Sequence, residues 1–257
     1  MPELAEVALY ARDISKHTKN SSITKITFPN QKNWGRIIIP PSKQKTLQNL
    51  LGRKIIFQSA GKVLLLFDIK HSTKPLLEIR LGMTGTFRLH NNIHKWKKHC
   101  FMILETNNVK IHYFDPRRFS RVVSPKVSEY AIGGYSVSKG FQFKKTIKAP
   151  KGFLKKPRIT WLLTSGHQTG VGNYMANEAL GRMNLSPFEP CKNELEAIRL
   201  LKKCADVANA SINHGGNSFG TGYFQLNASE GKYARYCRYY QNPDIPKKTF
   251  KGRPVFS

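Results

Sequence analysis

The chain begins with MPELAEVALYARDI (residues 1–14), in which apolar side chains recur three and four positions apart. On an α-helix this spacing gathers them onto one face, so we predict an amphipathic helix from Glu3 to about His17. A helix that starts so close to the terminus fixes Pro2 in space. The position of Pro2 is therefore the first indication of function.

Pro2 directly follows the initiator methionine and is a candidate nucleophile. An α-amino group has a reference pKa of about 7.7–8.0, against about 10.4 for lysine, so it is more often unprotonated near neutral pH and able to attack carbon. Removal of Met1 would expose this secondary amine, with Glu3 placed for proton transfer and Glu6 close behind. Proline is also common at this position in proteins that use it for nothing, so the stretch alone leaves the question open.

The rest of the chain changes from strand patterns to helical patterns. Between Ile23 and about Val123, short runs of β-branched and aromatic residues alternate with turn residues, which predicts a two-layered β-sandwich. After a basic stretch with two prolines, helical patterns return and are followed by a Gly/Asn/Ser-rich loop and a small hairpin. We predict an α+β protein with a β-sandwich domain over residues 1–139, a linker over 140–157, a helical domain over 158–230 and a hairpin over 231–257.

Charge is the most unusual feature of the composition. Lysine and arginine number 43 against 15 acidic residues, which gives a net charge of +28. Basic pairs recur along the whole chain, which indicates a charged face assembled by folding and a polyanionic partner. Apolar residues make up 40% of the chain, so the charge does not prevent a folded core.

Several classes of protein are disfavoured. No apolar run approaches the ~18 residues of a membrane span and the first twenty residues lack a signal-peptide core, so we expect a soluble intracellular protein without membrane association. The cysteines form no C-x-x-C pair, which argues against a zinc site and a disulfide framework. We expect no metal or cofactor, and a monomer is the simplest oligomeric state. The cysteines are Cys100, Cys191, Cys204 and Cys237.

Two stretches could contact a polyanion. In GVGNYMANEAL, Gly170, Gly172 and Asn173 lead into a predicted helix, whose first N–H groups could bind a phosphate. An ordinary turn between helices is the more common meaning of this pattern, although the net charge favours the phosphate. Lys62 follows Gly61 at the start of an apolar strand, where it is either a solvated charge or a phosphate contact.

Three further side chains suit a protein that opens a duplex. Arg117 and Phe119, in DPRRF, are two positions apart and therefore lie on the same side of a strand or loop. Met83 lies between two glycines in RLGMTGTF, on a predicted hairpin turn. Arginines and apolar wedges fill the gap where a base has left the stack. Alternatively, the phenylalanine is buried, the arginines are solvated and the methionine fills a gap in the core.

Taken together, these stretches resemble the formamidopyrimidine-DNA glycosylase and endonuclease VIII family. The matching pieces are MPELAE, GK before an apolar strand, RLGMTGTF, DPRRF, GVGNYMANEAL and a basic hairpin ending in GR, in the family's order and over almost the whole chain. The resemblance implies an N-terminal helix leading into a β-sandwich, a helix-two-turns-helix domain, and damaged DNA bound in the cleft between them. That DNA is expected to be double-stranded, with single-stranded DNA as a further option, in a DNA-containing compartment of the cell.

The resemblance also implies a reaction. Pro2 would attack C1′ of a damaged nucleotide that has been flipped from the duplex, the base would leave, and β,δ-elimination would break the strand. Glu3 would transfer protons and Glu6 would support the site, with Lys62 completing the catalytic set. The phosphate-binding residues implied are Lys62, Asn173 and Arg253, and the residues that fill the gap are Met83, Arg117 and Phe119.

One departure concerns the C-terminal finger. The family's usual finger binds zinc through four cysteines, whereas this region contains only Cys237. It therefore resembles the zincless finger of some eukaryotic endonuclease VIII-like members, with Arg253 of KGRPVF as its arginine. This favours oxidised pyrimidines as substrates. The alternatives are a preference for 8-oxoguanine or formamidopyrimidine, and a catalytically silent protein that binds damaged DNA.

Overall fold

A computed structural model describes residues 2–29, 32–33, 36–37, 39–70, 74–89, 98–125, 132–218, 225–227 and 229–256. The helices are α1 (Leu4–Thr18), α2 (Pro41–Gln48), α3 (Arg158–Thr164), α4 (Gly166–Thr169), α5 (Asn173–Arg182) and α6 (Glu194–Asn213). The strands are β1 (Ile23–Thr27), β2 (Lys32–Asn33), β3 (Arg36–Ile37), β4 (Ile55–Ala60), β5 (Val63–Asp68), β6 (Leu77–Arg80), β7 (Thr86–Leu89), β8 (Cys100–Thr106), β9 (Lys110–Phe114), β10 (Arg121–Val123), β11 (Gly133–Ser136), β12 (Gly140–Phe143), β13 (Lys247–Phe250) and β14 (Arg253–Phe256).

The predicted N-terminal helix is confirmed as α1. Glu3 is its N-cap. The backbone N–H of Glu3 donates to the carboxylate of Glu6 at 2.9 Å, as the N3 residue of a capping box does. The apolar stripe of α1 packs mainly on β4 and also contacts β5, β11 and α6. The helix is therefore clamped between the sandwich and the helical region, with its N-terminus at their junction.

The two-layered sandwich is also confirmed. One sheet has the strand order β1-β8-β9-β7 and the other β10-β6-β5-β4-β11-β12. The burial of β4 alternates along the strand, as expected when one face is covered. Between the layers, the ring of Phe87 lies 6.4 Å from that of Phe57 in the opposite sheet and 4.3 Å from that of Tyr113 in its own sheet. Tyr10 of α1 joins the same aromatic cluster, 5.7 Å from Phe87.

Two details of the sandwich differ from the sequence-based expectation. Residues 140–143, which we assigned to the linker, form β12 and pair with β11, so the six-stranded sheet continues past the predicted boundary. The predicted hairpin turn around Met83 is wrong, because β6 and β7 belong to different sheets. Met83 lies instead on a loop that crosses from one layer to the other.

The C-terminal half contains the predicted helices and hairpin. Helix α6 packs on both α5 and α1. Its buried stripe includes Leu200, Leu201 and Ile212, whereas Leu195, in the first turn of the helix, is exposed. Strands β13 and β14 form the C-terminal hairpin through a tight turn at Lys251 and Gly252, both with positive φ. This hairpin contacts the N-terminal end of α5 through β14.

Candidate active site

Segments that are far apart in the sequence meet at the N-terminus of α1. The backbone N–H of Leu4 donates to the carbonyl of Gly170 at 3.1 Å. Gly170 has a φ of +81°, and a β-carbon there would lie 2.8 Å from both Gly61 and Leu4. Glycine is required at this position by both the backbone conformation and the close approach. The GVG turn thus holds Pro2, which is buried, next to the β4–β5 turn.

The carboxylate of Glu3 binds the N-terminus of α5. It accepts hydrogen bonds from the backbone N–H groups of Gly172 at 2.9 Å, Tyr174 at 3.2 Å and Met175 at 3.3 Å. These are the N–H groups that we considered for a phosphate, and that interpretation is wrong because a side chain from α1 already occupies them. The helix N-terminus therefore positions a carboxylate beside Pro2.

The environment of Glu3 brings its pKa close to neutral pH. The pKa of Glu3 is raised to about 7: burial raises it most, the charge of Lys62 lowers it, and the nearby carboxylate of Glu6 raises it. Desolvation prevails because Glu3 is almost completely buried. A carboxyl group with a pKa close to the ambient pH can both donate and accept a proton.

Glu6 is fully enclosed by hydrogen-bond donors. Its carboxylate accepts from the Tyr174 hydroxyl at 3.0 Å, the Ser211 hydroxyl at 3.3 Å and the backbone N–H of Asn217 at 2.9 Å, in addition to the N–H of Glu3. Burial nevertheless raises the pKa of Glu6. The side chain ties α1 to α5, α6 and the segment after α6, and it fixes the backbone of Glu3.

Lys62 faces the acidic pair, and Arg253 lies near Lys62. Lys62 stands on the tight turn between β4 and β5, where Gly61 has a φ of +56°. Burial lowers the pKa of Lys62, the charge of Glu3 opposes this, and the charge of Arg253 lowers the pKa further. The Lys62 ammonium also lies against Gly166, where a β-carbon would be 3.1 Å from Nζ. Lys62 and Arg253 are thus close enough to repel each other, an arrangement that a phosphate would relieve.

Asn173 connects α5 to the C-terminal hairpin. Its side-chain Nδ2 donates to the carbonyl of Pro254 at 3.1 Å, next to Arg253. Burial raises the pKa of Tyr240, and a hydrogen bond with the Asn173 side chain opposes this, so Asn173 also contacts the segment before the hairpin. Asn177, one turn further along α5, accepts from the backbone N–H of Phe256 at 2.8 Å. The hairpin is therefore fixed to α5, and Arg253 is presented beside Lys62 and Asn173.

Glu178 has a structural role in this attachment. It is fully buried and accepts from the backbone N–H groups of Tyr239 at 2.7 Å and Tyr240 at 2.8 Å, while its second oxygen binds Arg182. It therefore fastens the segment before the hairpin to α5.

The three residues predicted to fill the gap protrude together. Met83 is 41% exposed and Phe119 is 43% exposed, so neither is a core residue. The guanidinium of Arg117 lies over the ring of Phe119, 4.8 Å from its centroid. A β-carbon on Gly82 would be 2.8 Å from the backbone of Phe119, so the loops that carry Met83 and Phe119 touch. The alternatives of a buried Phe119 and of a Met83 that fills a gap in the core are therefore wrong.

Sequence reasoning missed most of the residues that hold the two glutamates. Tyr174, Ser211 and Asn217 come from three separate positions in the chain, and nothing in their local sequence marks them as partners of Glu6. Gly172 was named from the sequence, but its role was not: a β-carbon there would lie 2.2 Å from the Glu3 carboxyl carbon. The GVG pattern signalled a close approach, but we assigned it to a phosphate.

No cluster of three or more His, Cys, Asp or Glu side chains suited to a metal occurs among the residues with described structure. Cys237 follows a 3₁₀ turn before the hairpin, and the other cysteines are buried. Within the described ranges, every helix is too short or too polar to cross a membrane.

The comparisons with known proteins agree with this geometry. Residues 1–122 match the family model described as the formamidopyrimidine-DNA glycosylase N-terminal domain. The chain is 28% identical over 265 residues to formamidopyrimidine-DNA glycosylase of Thermus thermophilus, covering 99% of this chain and 92% of the relative. It is 29% identical over 250 residues to the enzyme of the same name from Deinococcus radiodurans, covering 90% and 82%.

Solved structures show the same fold. The crystal structure of the MutM (Fpg) protein from Thermus thermophilus superimposes with a TM-score of 0.70 at 23% identity, covering 99% of this chain and 96% of that one. A Lactococcus lactis Fpg mutant in complex with Fapy-dG-containing DNA gives a TM-score of 0.74 at 18% identity, covering 99% and 97%. Together with the match of residues 1–122 to the N-terminal domain of formamidopyrimidine-DNA glycosylase, this shows that the chain has the fold of the Fpg proteins and is similar along nearly its whole length to enzymes named formamidopyrimidine-DNA glycosylase.

Proposed function

We propose that this protein removes oxidised bases from DNA and cleaves the strand through a covalent intermediate on Pro2. The observation that carries the proposal is the placement of Glu3. Glu3 follows Pro2 directly in the chain. Its carboxyl group has a pKa of about 7 and is held by the N-terminus of α5, near Lys62. A nucleophilic amine, a proton carrier and a cation therefore meet at one buried point.

The reaction begins once Met1 has been removed and Pro2 carries the terminal amine. The Pro2 nitrogen attacks C1′ of the flipped nucleotide, the bond from C1′ to the base breaks, and the base leaves with a proton from Glu3. Ring opening of the sugar gives an iminium between Pro2 and C1′. The iminium acidifies C2′, so loss of that proton expels the 3′ phosphate, and a second elimination expels the 5′ phosphate. Hydrolysis of the iminium frees Pro2.

The basic residues account for the binding of DNA. Lys62 lies near Glu3 and Arg253, and Asn173 binds the backbone next to Arg253, so the three residues suit the phosphates on either side of the lesion. Met83, Arg117 and Phe119 form an exposed group of the size and chemistry needed to fill the gap left by a flipped base. Damaged duplex DNA in a DNA-containing compartment is the substrate that both sets support.

The covalent step can be tested on a fusion protein whose protease cleavage exposes Pro2. Before cleavage the Pro2 nitrogen is an amide and cannot attack, whereas afterwards it is a free secondary amine. We expect borohydride to trap the cleaved protein, but not the fusion, on a duplex with one abasic site. Equal trapping of the two forms would refute the assignment to Pro2. Binding without trapping or strand cleavage by either form would favour the alternative of a catalytically silent damage binder.

Substrate choice is a finer question with two candidates. The hairpin without a cysteine cluster supports oxidised pyrimidines, on the resemblance to zincless endonuclease VIII-like members. The names of the relatives support formamidopyrimidine lesions instead. Single-turnover excision from duplexes that each carry one lesion, with every opposite base, separates them. Faster excision of oxidised pyrimidines favours the first candidate, and faster excision of formamidopyrimidine favours the second.

A further inference from the structure

The exposed group of Met83, Arg117 and Phe119, which we call the wedge, is carried by two loops. Met83 lies on the loop from β6 to β7, and the other two lie on the loop from β9 to β10. Each loop also connects the two sheets, because β6 and β10 belong to one layer and β7 and β9 to the other. A wedge built from separate loops needs something that fixes one loop to the other.

Asp115 fixes the two loops to each other. It is completely buried, although it lies on the same loop as the exposed Arg117 and Phe119. One carboxylate oxygen accepts from the Thr84 hydroxyl at 2.5 Å and from the backbone N–H of Arg117 at 3.2 Å. The other accepts from the backbone N–H of Ser120 at 2.7 Å. Because Thr84 follows Met83 and Ser120 follows Phe119, one carboxylate binds groups at or beside all three wedge residues: the hydroxyl of Thr84 and the backbone N–H groups of Arg117 and Ser120.

Further contacts leave little freedom at this junction. The Ser120 hydroxyl donates to the carbonyl of Leu81 at 2.9 Å, which ties the loops together on the other side of Gly82. Arg118, between the two exposed wedge residues, is buried and has a φ of +55°, a conformation that side chains other than glycine rarely adopt. Such a conformation persists only where surrounding contacts enforce it. The hydrogen bonds of Asp115 to the residues on both sides of Arg118 supply that constraint.

We propose that Asp115 and Thr84 form a positioning pair that makes the wedge one rigid body, so that Met83, Arg117 and Phe119 enter the duplex together. Without the pair the two loops move independently, and the gap is filled incompletely. The proposal rests on the assigned role of the wedge in DNA binding. It does not require that Pro2 be the nucleophile.

Insertion of the wedge can be measured without any chemical step. The probe is a duplex with an uncleavable abasic-site analogue opposite 2-aminopurine, whose fluorescence rises when it is unstacked. We expect wild-type protein to raise the fluorescence and Met83→Ala to abolish most of the rise. Thr84→Val removes only the hydroxyl donor, and we expect it to lower the rise by about fivefold, the effect of one lost hydrogen bond.

Conservative variants separate positioning from folding. Thr84→Ser keeps the hydroxyl and should restore the signal. Asp115→Asn retains one acceptor but presents an NH₂ group to the N–H of Ser120, and should lose more signal than Thr84→Val. The matched control is Thr46→Val on α2, where the lost hydroxyl donates only to the carbonyl of Ser42 and the signal should not change.

Two results would overturn the positioning role of Asp115 and Thr84 while leaving the wedge role intact. The first is a wild-type signal from Thr84→Val and Asp115→Asn when Met83→Ala has lost it. The second is a reduced fluorescence rise in Thr84→Val that is equally reduced in Thr84→Ser. A failure of the covalent mechanism leaves this test intact, because it would appear as missing borohydride trapping with an unchanged fluorescence rise. If wild-type protein and Met83→Ala give the same fluorescence, the wedge role itself is wrong and the positioning role falls with it.

Discussion

Substitution of Gly172 by alanine tests how closely Glu3 must be held. Gly172 is the N-cap of α5 with φ −123° and ψ −161°, an extended conformation that alanine adopts without strain. The new β-carbon would lie 2.2 Å from both the carboxyl carbon and one carboxyl oxygen of Glu3. Ordinary contact begins at 3.4 Å, so the carboxyl group must move by about 1.2 Å (3.4 − 2.2).

This displacement should affect catalysis more than stability. Overpacking of one methyl group costs about 1–3 kcal/mol of unfolding free energy. A misplacement of about 1 Å in a catalytic group costs on the order of 100-fold in rate. We therefore expect Gly172→Ala to remain folded while its single-turnover rate of base excision falls by about 100-fold. Urea denaturation and rapid-quench excision measure the two effects separately.

Gly52→Ala is the matched control. Gly52 has a φ of +77° with open space around it, so alanine there costs stability through the backbone alone, about 1–2 kcal/mol. It should lose a similar amount of stability and keep wild-type excision. A folded Gly172→Ala protein that excises bases at the wild-type rate would refute the role assigned to the contact between Glu3 and α5.

Two further predictions concern charge. Because the pKa of Glu3 is about 7 in the folded protein and 4.5 ordinarily, the folded state retains a proton that the unfolded chain releases between these values. The stability from this group is therefore complete below pH 4.5 and is lost as the pH rises through 7, by up to about 3 kcal/mol. Between about pH 5 and about pH 8.5, the free energy of unfolding measured in urea should decrease less for Glu3→Gln than for wild type. Equal decreases would contradict the assignment of this pH dependence to Glu3. For DNA binding, Lys62→Met and Arg253→Met should each reduce the slope of log affinity against log salt by about 0.9, the contribution of one phosphate contact. The control Lys16→Met on α1 should leave the slope unchanged. An unchanged slope for Lys62→Met or Arg253→Met would show that the substituted residue does not contact a phosphate.

The elements that the sequence predicted best are those whose patterns are local. Helix α1, the strands of the sandwich, helix α6 and the C-terminal hairpin were visible from apolar spacing and turn residues. Helix α2 was not predicted, since its sequence PSKQKTLQ has one buried side chain and almost no apolar pattern. Strands β11 and β12 were missed because Gly133, Gly134 and Gly140 suggest a loop, although a β-carbon on Gly134 would lie 2.0 Å from the carbonyl oxygen of Ser59 in the neighbouring strand.

The candidate site shows a sharper division. Pro2, Glu3, Lys62, Asn173 and Arg253 were named from the sequence, and the structure brings them together. Their roles remain predictions. What the sequence could not supply is the pairing of Glu3 with the first turn of α5, because two segments 169 positions apart must fold before a carboxylate can replace a phosphate there. For the same reason, the binding of Thr84 by Asp115 across two loops had no local pattern.

We propose that Pro2, and no other amine, forms the covalent bond to DNA. Lys62 is the natural competitor, since burial lowers its pKa and it lies in the same site. Borohydride trapping on abasic-site DNA, followed by nuclease and protease digestion and mass spectrometry, identifies the modified residue. We expect a sugar remnant on the nitrogen of Pro2 at a terminus lacking Met1. A remnant on the ε-amine of Lys62 or of any other lysine would contradict it.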